Sequence, residues 1–187
     1  MDPDSLSSAL TPTAAEEEEE EEEPLALRVV NLADRLELLS VGADAWSLMY
    51  PSVPDKLQSL YNDGFKLVIF TNESNIERWK KKRQVAVDSK IGRLNNFIKR
   101  VNVPIQVFIA CGLGESSIQA ADPFRKPKPG MWHVMEKHFN SGISIDMDQS
   151  FYVGDAAGRE NDHSDADIKF AEAIGLKFFV PEEYFGA

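Results

Sequence analysis

The feature that most constrains the fold is a regular alternation of strand and helix patterns that starts near residue 54. Short β-branched and aromatic runs alternate with stretches whose apolar residues recur at helical spacing. The strand runs lie at residues 65–71, 104–110, 150–154 and 177–180. Because strands that alternate with helices form a parallel sheet covered on both faces, the sequence predicts an α/β fold with these four strands parallel in one sheet.

Residues 25–39 carry two competing patterns. The segment "ALRVV" has the residue types of a strand, and Pro24 stands where a helix often begins. An apolar stripe at helical spacing runs through Leu25, Val29, Leu32, Leu36 and Leu39. Since this periodicity covers the whole segment, the sequence predicts a helix here and a first strand that is replaced or degenerate.

Most of the net charge is concentrated in one segment. The formal net charge is −11, but residues 16–23 are eight consecutive glutamates, and without them the charge is −3. Such dense like charge cannot bury apolar surface, so we expect residues 1–24 to form a disordered acidic tail and residues 25–187 to form one domain. The single cysteine, Cys111, excludes an intramolecular disulfide, and no apolar run approaches the roughly 18 residues of a membrane span. We therefore expect a soluble intracellular protein without a membrane partner.

Polar residues stand where the predicted strands end. Thr71 and Asn72 follow one apolar run, Asp155 follows another after Gly154, and Lys126 lies in the proline-rich loop "FRKPKPGMW". Ligands of open α/β sheets bind beyond the carboxyl ends of strands, and a hydroxyl, an amide and an ammonium can bind a phosphate while a carboxylate holds Mg²⁺. Each residue also has an ordinary explanation: Thr71 as a strand-end cap, Lys126 as a solvated loop lysine, Asp155 as a helix cap. Their joint placement favours a phosphate site with Mg²⁺.

These residues resemble the second, third and fourth motifs of the haloacid dehalogenase-like phosphatases, which supply a threonine, a lysine and an aspartate. The segments "AWSLMYPSVPDKLQSLYNDGFKLVIFTNESNIERW", "RKPKPGMWHVMEKHF", "FYVGDAAGRENDHSDADIKFAEAIGL" and "FVPEEYF" are similar to the phosphatase half of the polynucleotide kinase/3′-phosphatase family, in particular its plant DNA 3′-phosphatases. The resemblance covers about residues 45–185. It implies a haloacid dehalogenase-like parallel sheet with helices on both faces.

The resemblance also implies site roles. Thr71 and Asn72 would contact the phosphate, Lys126 would steady it, and Asp155 would be a magnesium ligand. Lys128, two residues further on, is a rival for Lys126.

Three further features carry predictions. Asp167, in "SDADIKFA", matches an acid of the family pattern and would support the site. Arg159 would contact the nucleic-acid backbone, with a surface salt bridge as the alternative. The basic run 80–83 would contact phosphates or act as a nuclear address, with a solvated helix face as the alternative.

The first motif of this family, an Asp-x-Asp-Gly-Thr turn after the first strand, is not found. Asp34 is followed by Arg35 and Leu36, and Asp44 by Ala45, so neither begins the motif. The sequence therefore predicts no nucleophile. Should "LRVVN" nevertheless form a central strand, the nucleophile position would fall near Asp34.

The expected function is that of a polynucleotide 3′-phosphatase family member, which removes 3′-phosphate from DNA ends in strand-break repair with Mg²⁺ as cofactor. The family implies a nuclear location, with DNA ends carrying a 3′-phosphate and repair proteins as partners. Without the nucleophile, we expect this form to be inactive. The alternatives are a non-catalytic module that binds DNA ends or a repair partner, and a small-molecule phosphatase of the same superfamily.

Overall fold

A computed structural model of the protein describes residues 28–32, 37–39, 46–78, 80–114 and 122–186. The predicted acidic tail, residues 1–24, lies outside these ranges. The strands are β1 (Arg28–Leu32), β2 (Glu37–Leu39), β3 (Trp46–Leu48), β4 (Phe65–Asn72), β5 (Ile105–Ala110), β6 (Phe151–Val153) and β7 (Lys177–Phe179). The helices are α1 (Val53–Asn62), α2 (Asn75–Arg78), α3 (Arg83–Val101), α4 (Gly130–His138), α5 (Ala166–Ile174) and α6 (Pro181–Phe185), with a 3₁₀ turn at Lys80–Lys82 before α3.

Five strands form one parallel sheet in the order β5-β4-β1-β6-β7. The four strands predicted from the sequence are all in it and all parallel, which confirms that prediction. Strands β2 and β3 form a separate antiparallel pair. No helix of the described residues is both long and apolar enough to cross a membrane.

The helix predicted over residues 25–39 is wrong. β1 occupies the centre of the sheet and pairs in parallel with β4, from Arg28 opposite Phe65 to Leu32 opposite Ile69. It also pairs with β6, where Leu32 lies opposite Val153. A central strand covered on both faces does not alternate polar and apolar residues, so its short apolar run can coincide with a helical stripe. Hydrogen bonding to strands on both sides therefore determined the structure of residues 28–32, although their apolar residues also fit a helical period.

Successive residues of β4 point to opposite faces of the sheet and divide the core into two layers. Val68 and Phe70 pack with the buried residues of α4 and α5 in one layer. Leu67 and Ile69 pack with α1, α3 and α6 in the other. With both faces covered, ligands can reach the sheet at its edges and strand ends, and polar residues collect at the carboxyl ends.

Candidate phosphate-binding site

A cleft of about 530 Å³ lies beyond the carboxyl ends of the central strands. Its lining includes Asn72, Arg125, Lys126, Asp155, His163 and Asp167. Asn72 is the last residue of β4, and Asp155 lies two residues after the end of β6. Because the two strands are parallel in one sheet, both residues lie at the same end of that sheet. The predicted juxtaposition of the β4 and β6 ends is confirmed.

The centre of the site is a buried network of three side chains. Lys126 Nζ donates to Asp167 Oδ1 at 2.7 Å and to the Tyr152 hydroxyl at 3.1 Å. The Tyr152 hydroxyl donates to the same carboxylate oxygen at 2.8 Å, and Asp167 Oδ2 accepts the backbone N–H of Ala156 at 3.0 Å. Lys126 is 6% exposed and Asp167 is 2% exposed. An ammonium buried to this degree requires a counter-charge, and Asp167 supplies it.

Asn72 fixes the backbone that carries the lysine. Its Oδ1 accepts the Lys126 backbone N–H at 2.9 Å, and its Nδ2 donates to the Lys126 carbonyl at 3.1 Å. This paired contact ties the end of β4 to the proline-rich loop across 54 residues of sequence. Asn72 thus holds Lys126 in place, a contact that sequence reasoning did not anticipate. The amide nitrogen carries a second N–H, so the predicted contact with a phosphate remains open to it.

The geometry distinguishes the two rival lysines. Lys126 lines the cleft and is buried, whereas Lys128 is exposed and is not among the cleft residues. Thr71 is fully buried at the end of β4, next to cleft-lining Asn72 rather than in the lining itself. A direct contact between its hydroxyl and a phosphate stays a prediction.

Asp155 presents its carboxylate to the cleft with a side-chain exposure of 17%. Nδ1 of His163 lies 3.9 Å from Asp155 Oδ2, which is an ion-pair distance only when the imidazole is protonated. Within the described ranges, no three acidic, histidine or cysteine side chains converge as a metal site. Mg²⁺ is commonly held by one or two carboxylates together with phosphate oxygens of the substrate, so this donor set fits an ion shared with a bound phosphate.

Position 154 requires a glycine because Asp167 and Tyr152 pack closely against its backbone. A Cβ at this position would lie 2.6 Å from Asp167 Cβ and 2.7 Å from Tyr152 Cε1. The glycine between β6 and Asp155 therefore lets α5 bring Asp167 against the strand end.

Arg159 lies in the loop after Asp155, exposed and held by acids. Its Nε donates to Asp162 Oδ2 at 2.9 Å, and its Nη1 pairs with Glu182. The hydrogen bond with Arg159 lowers the pKa of Asp162 to about 2, while Asp162 and then Glu182 raise the pKa of the guanidinium. The surface salt bridge, one of the two alternatives for Arg159, is observed; contact with a nucleic-acid backbone stays a prediction.

Sequence reasoning missed Tyr152 and His163. Tyr152 stands in a strand run as an aromatic core residue would, and no spacing rule places its hydroxyl on a lysine 26 positions away. The available signal was physical: a buried tyrosine requires a hydrogen-bond partner. His163 lies eight positions after Asp155 in a loop whose path the sequence pattern does not define.

The register of β1 bears on the missing nucleophile. Leu32 is level with Ile69 on one side and Val153 on the other. Counting two positions along the sequence from Leu32, Ile69 and Val153 gives Asp34, Thr71 and Asp155, respectively. Asp34 and Asp44 themselves lie outside the described residues.

The fold of this chain matches a known class of protein structures. The chain superimposes with a TM-score of 0.59 on the crystal structure of a haloacid dehalogenase-like phosphatase from Mesorhizobium loti, at 22% identity over 82% of this chain and 71% of the other. This likeness confirms the predicted haloacid dehalogenase-like α/β fold.

The family follows from sequence. Residues 31–185 match the family model described as polynucleotide kinase 3 phosphatase, and the chain belongs to this family. It is 76% identical over 147 residues to the polynucleotide 3′-phosphatase ZDP of Arabidopsis thaliana, covering 78% of this chain and 21% of that one. It is 40% identical over 148 residues to the bifunctional polynucleotide phosphatase/kinase of Schizosaccharomyces pombe, covering 79% of this chain and 33% of that one. The chain thus spans between a fifth and a third of these two relatives.

Proposed function

We propose that this domain binds the 3′-phosphate at the end of a polynucleotide, with DNA strand breaks as its setting. The observation that carries this proposal is the buried network in which Asp167 and Tyr152 hold the Lys126 ammonium at the cleft. The family supports the class of substrate, because both relatives are named for action on polynucleotides. A nuclear location and repair-protein partners belong to the same proposal.

Two donors remain for a phosphate. The ammonium of Lys126 has three N–H bonds and uses two of them, on Asp167 and Tyr152. The Asn72 amide uses one of its two N–H bonds on the Lys126 carbonyl. Both residues line the cleft, so the remaining donors can bind phosphate oxygens without breaking any existing contact.

Asp155 would hold Mg²⁺ against that phosphate. When bound, the ion neutralises charge on the phosphoryl oxygens. Asp155 is suited to this task because it lines the cleft. The carboxylate of Asp167 already accepts three hydrogen bonds.

We further propose that turnover is absent or strongly reduced. The Asp-x-Asp-Gly-Thr turn that supplies nucleophile and general acid in this superfamily is not present in the sequence. Loss of a nucleophile in a protease costs about 10⁶ in turnover, which sets the expected scale. Phosphate binding needs no nucleophile and is expected to survive.

The deciding experiment measures phosphate release from a 3′-phosphorylated DNA duplex with Mg²⁺. The protein should release phosphate no faster than its Asp155→Ala variant does. Turnover of about 1 s⁻¹, a typical enzyme rate, that disappears in Asp155→Ala would overturn the inactive assignment. The Asp34→Asn variant would then show whether Asp34, whose position follows β1, had taken the nucleophile's place.

A further inference from the structure

We propose that a single-stranded polynucleotide 3′ end leaves the cleft over the β5 side of the sheet, where Phe124 stacks on a base and Lys80–Lys82 contact backbone phosphates. This inference rests on the proposed function and adds the path of the strand and the residues that distinguish a polynucleotide from a small phosphate. It is carried by an exposed aromatic ring, a group of lysines that form no ion pair with any described residue, and an acidic surface on the other side of the cleft.

Phe124 is an exposed aromatic ring next in sequence to a residue that lines the cleft. It is 45% exposed, precedes the cleft-lining Arg125, and stands two residues before Lys126. The loop is braced: the Phe124 N–H donates to Asp122 Oδ1 at 2.9 Å, and the Arg125 N–H donates to the Asp122 carbonyl at 3.2 Å. Single exposed apolar residues are ordinary on protein surfaces. A braced ring beside a phosphate site is, however, the platform on which single-stranded bases stack.

Lys80, Lys81 and Lys82 form the basic part of the surface. All three are exposed, and within the described ranges none forms an ion pair, whereas neighbouring Arg83 pairs with Glu77 at 2.7 Å. Three adjacent ammonium groups repel one another. On a chain of net charge −11 they are a local exception, and a polyanion would relieve the repulsion.

Both features lie at the carboxyl end of β5. A Cβ on Gly112, two residues beyond the strand, would lie 2.0 Å from Asp122 Oδ2, so the Phe124 loop packs against this point. Burial and then the charge of Glu77 raise the pKa of the Cys111 thiol, and Arg83 lowers it. The backbone agrees with this placement: the Glu73 N–H donates to the carbonyl of Ala110, the last residue of β5, at 2.8 Å, and Lys80 follows only seven residues later, after α2.

The other side of the cleft is acidic. Arg159, a cation there, pairs with Asp162 and Glu182, and the next residues in sequence after Arg159 and Glu182, which are Glu160 and Glu183, are exposed. A phosphodiester chain directed toward β7 would meet this acidic surface. The charge asymmetry therefore directs the strand toward β5, over Phe124 and the lysines.

The test measures binding of a fluorescein-labelled thymidine octamer with a 3′-phosphate by anisotropy with Mg²⁺ present, and competition by inorganic phosphate. Phe124→Ala should weaken octamer binding about 5- to 100-fold and leave inorganic phosphate binding unchanged. Phe124→Tyr, which keeps a ring, should bind as the parent protein does. Replacing Lys80, Lys81 and Lys82 by serine should reduce the slope of log K against log salt by about 2, at about 0.7 per phosphate contact on a single strand.

Matched controls lie elsewhere on the chain. Tyr61→Ala removes an aromatic ring that is 41% exposed at the end of α1, before β4 begins. Replacing Lys99, Arg100 and Lys137 by serine removes three exposed cations, two of them in the last turn of α3. That turn is about 27 Å from the three lysines at 1.5 Å per residue of helix. These variants should leave octamer affinity and salt slope unchanged.

Two results would overturn the inference, and they are distinguishable. If the parent protein binds inorganic phosphate and the octamer, but the Phe124 and lysine variants behave as their controls do, the strand path is wrong and the proposed function stands. If the parent protein binds neither ligand, the proposed function fails and the strand path fails with it.

Discussion

Asp167→Asn should be the most damaging conservative change near the cleft, because it removes the counter-charge of a buried lysine. Breaking a buried ion pair by neutralising one partner costs about 3–5 kcal/mol. The asparagine also presents a single carbonyl oxygen to three donors that now share a carboxylate: Lys126 Nζ, the Tyr152 hydroxyl and the Ala156 N–H. With that oxygen directed at the first two, the new amide group meets the Ala156 N–H donor to donor. The expected loss is at least a fifth of the stability of a typical domain, which is about 5–15 kcal/mol.

Urea unfolding of four proteins measures this effect: the parent, Asp167→Asn, Lys126→Met and the double variant. The double variant removes both charges, and replacing a buried pair by neutral groups is often nearly neutral. It should therefore be more stable than Asp167→Asn alone, with a coupling free energy of about 2–3 kcal/mol between the two positions.

A destabilisation below about 1 kcal/mol in Asp167→Asn, the range of exposed ion pairs, would refute this reasoning. It would mean that water reaches the Lys126 ammonium and replaces the carboxylate. The same conclusion would follow if the free-energy losses of the two single variants summed to that of the double variant, because the effects of substitutions at directly interacting groups are not additive.

Three other changes test the surroundings. Tyr152→Phe keeps the ring and removes the hydroxyl that the buried lysine donates to, so urea unfolding should show a loss of about 1 kcal/mol and phosphate titration should show weaker binding. Gly154→Ala forces a methyl against Asp167 and should cost about 1–3 kcal/mol by overpacking, measured by the shift of the urea midpoint. The hydrogen bond from Arg159 holds the folded-state pKa of Asp162 at about 2, against an ordinary value of 3.8. The stabilisation from Asp162 is thus present above pH 3.8 and lost as the pH falls toward 2; acid unfolding of Asp162→Asn should depend less steeply on pH in that window, and the carboxyl carbon NMR shift should give the midpoint directly.

The parts of the fold that were predictable are those in which local pattern and tertiary role agree. The run 65–71 is β-branched and aromatic, and it lies in a sheet covered on both faces, so its composition and its role coincide. β1 was not predictable because its residues satisfy two periods at once. Hydrogen bonding to β4 and β6 decides between the helix and the strand. β4 lies more than 30 residues from β1 in sequence, and β6 lies more than 110 residues from it.

The candidate site was predictable to the extent that strand ends mark ligand positions in parallel sheets. That rule found Thr71, Asn72 and Asp155, the proline-rich loop pointed to Lys126, and the family resemblance added Asp167. It did not find how the lysine is held. The two hydrogen bonds of Asn72 with the Lys126 backbone join the end of β4 to a loop. The Tyr152 hydroxyl, which accepts a hydrogen bond from the Lys126 ammonium, comes from β6. Contacts of this kind depend on the distance between packed elements, which periodicity does not report.

The phosphate binding that we propose and the phosphoryl transfer of the superfamily would depend on different parts of this chain. The hydrogen bonds described around Lys126 join β4, the proline-rich loop, β6 and α5. The nucleophile that the family resemblance implies would, by contrast, follow the first strand, where this chain has no Asp-x-Asp pair. β1 contributes the centre of the sheet and keeps the ends of β4 and β6 level, whichever residues follow it. If the proposal is right, this chain lacks the transfer chemistry and retains phosphate binding, so the two must be measured in separate assays.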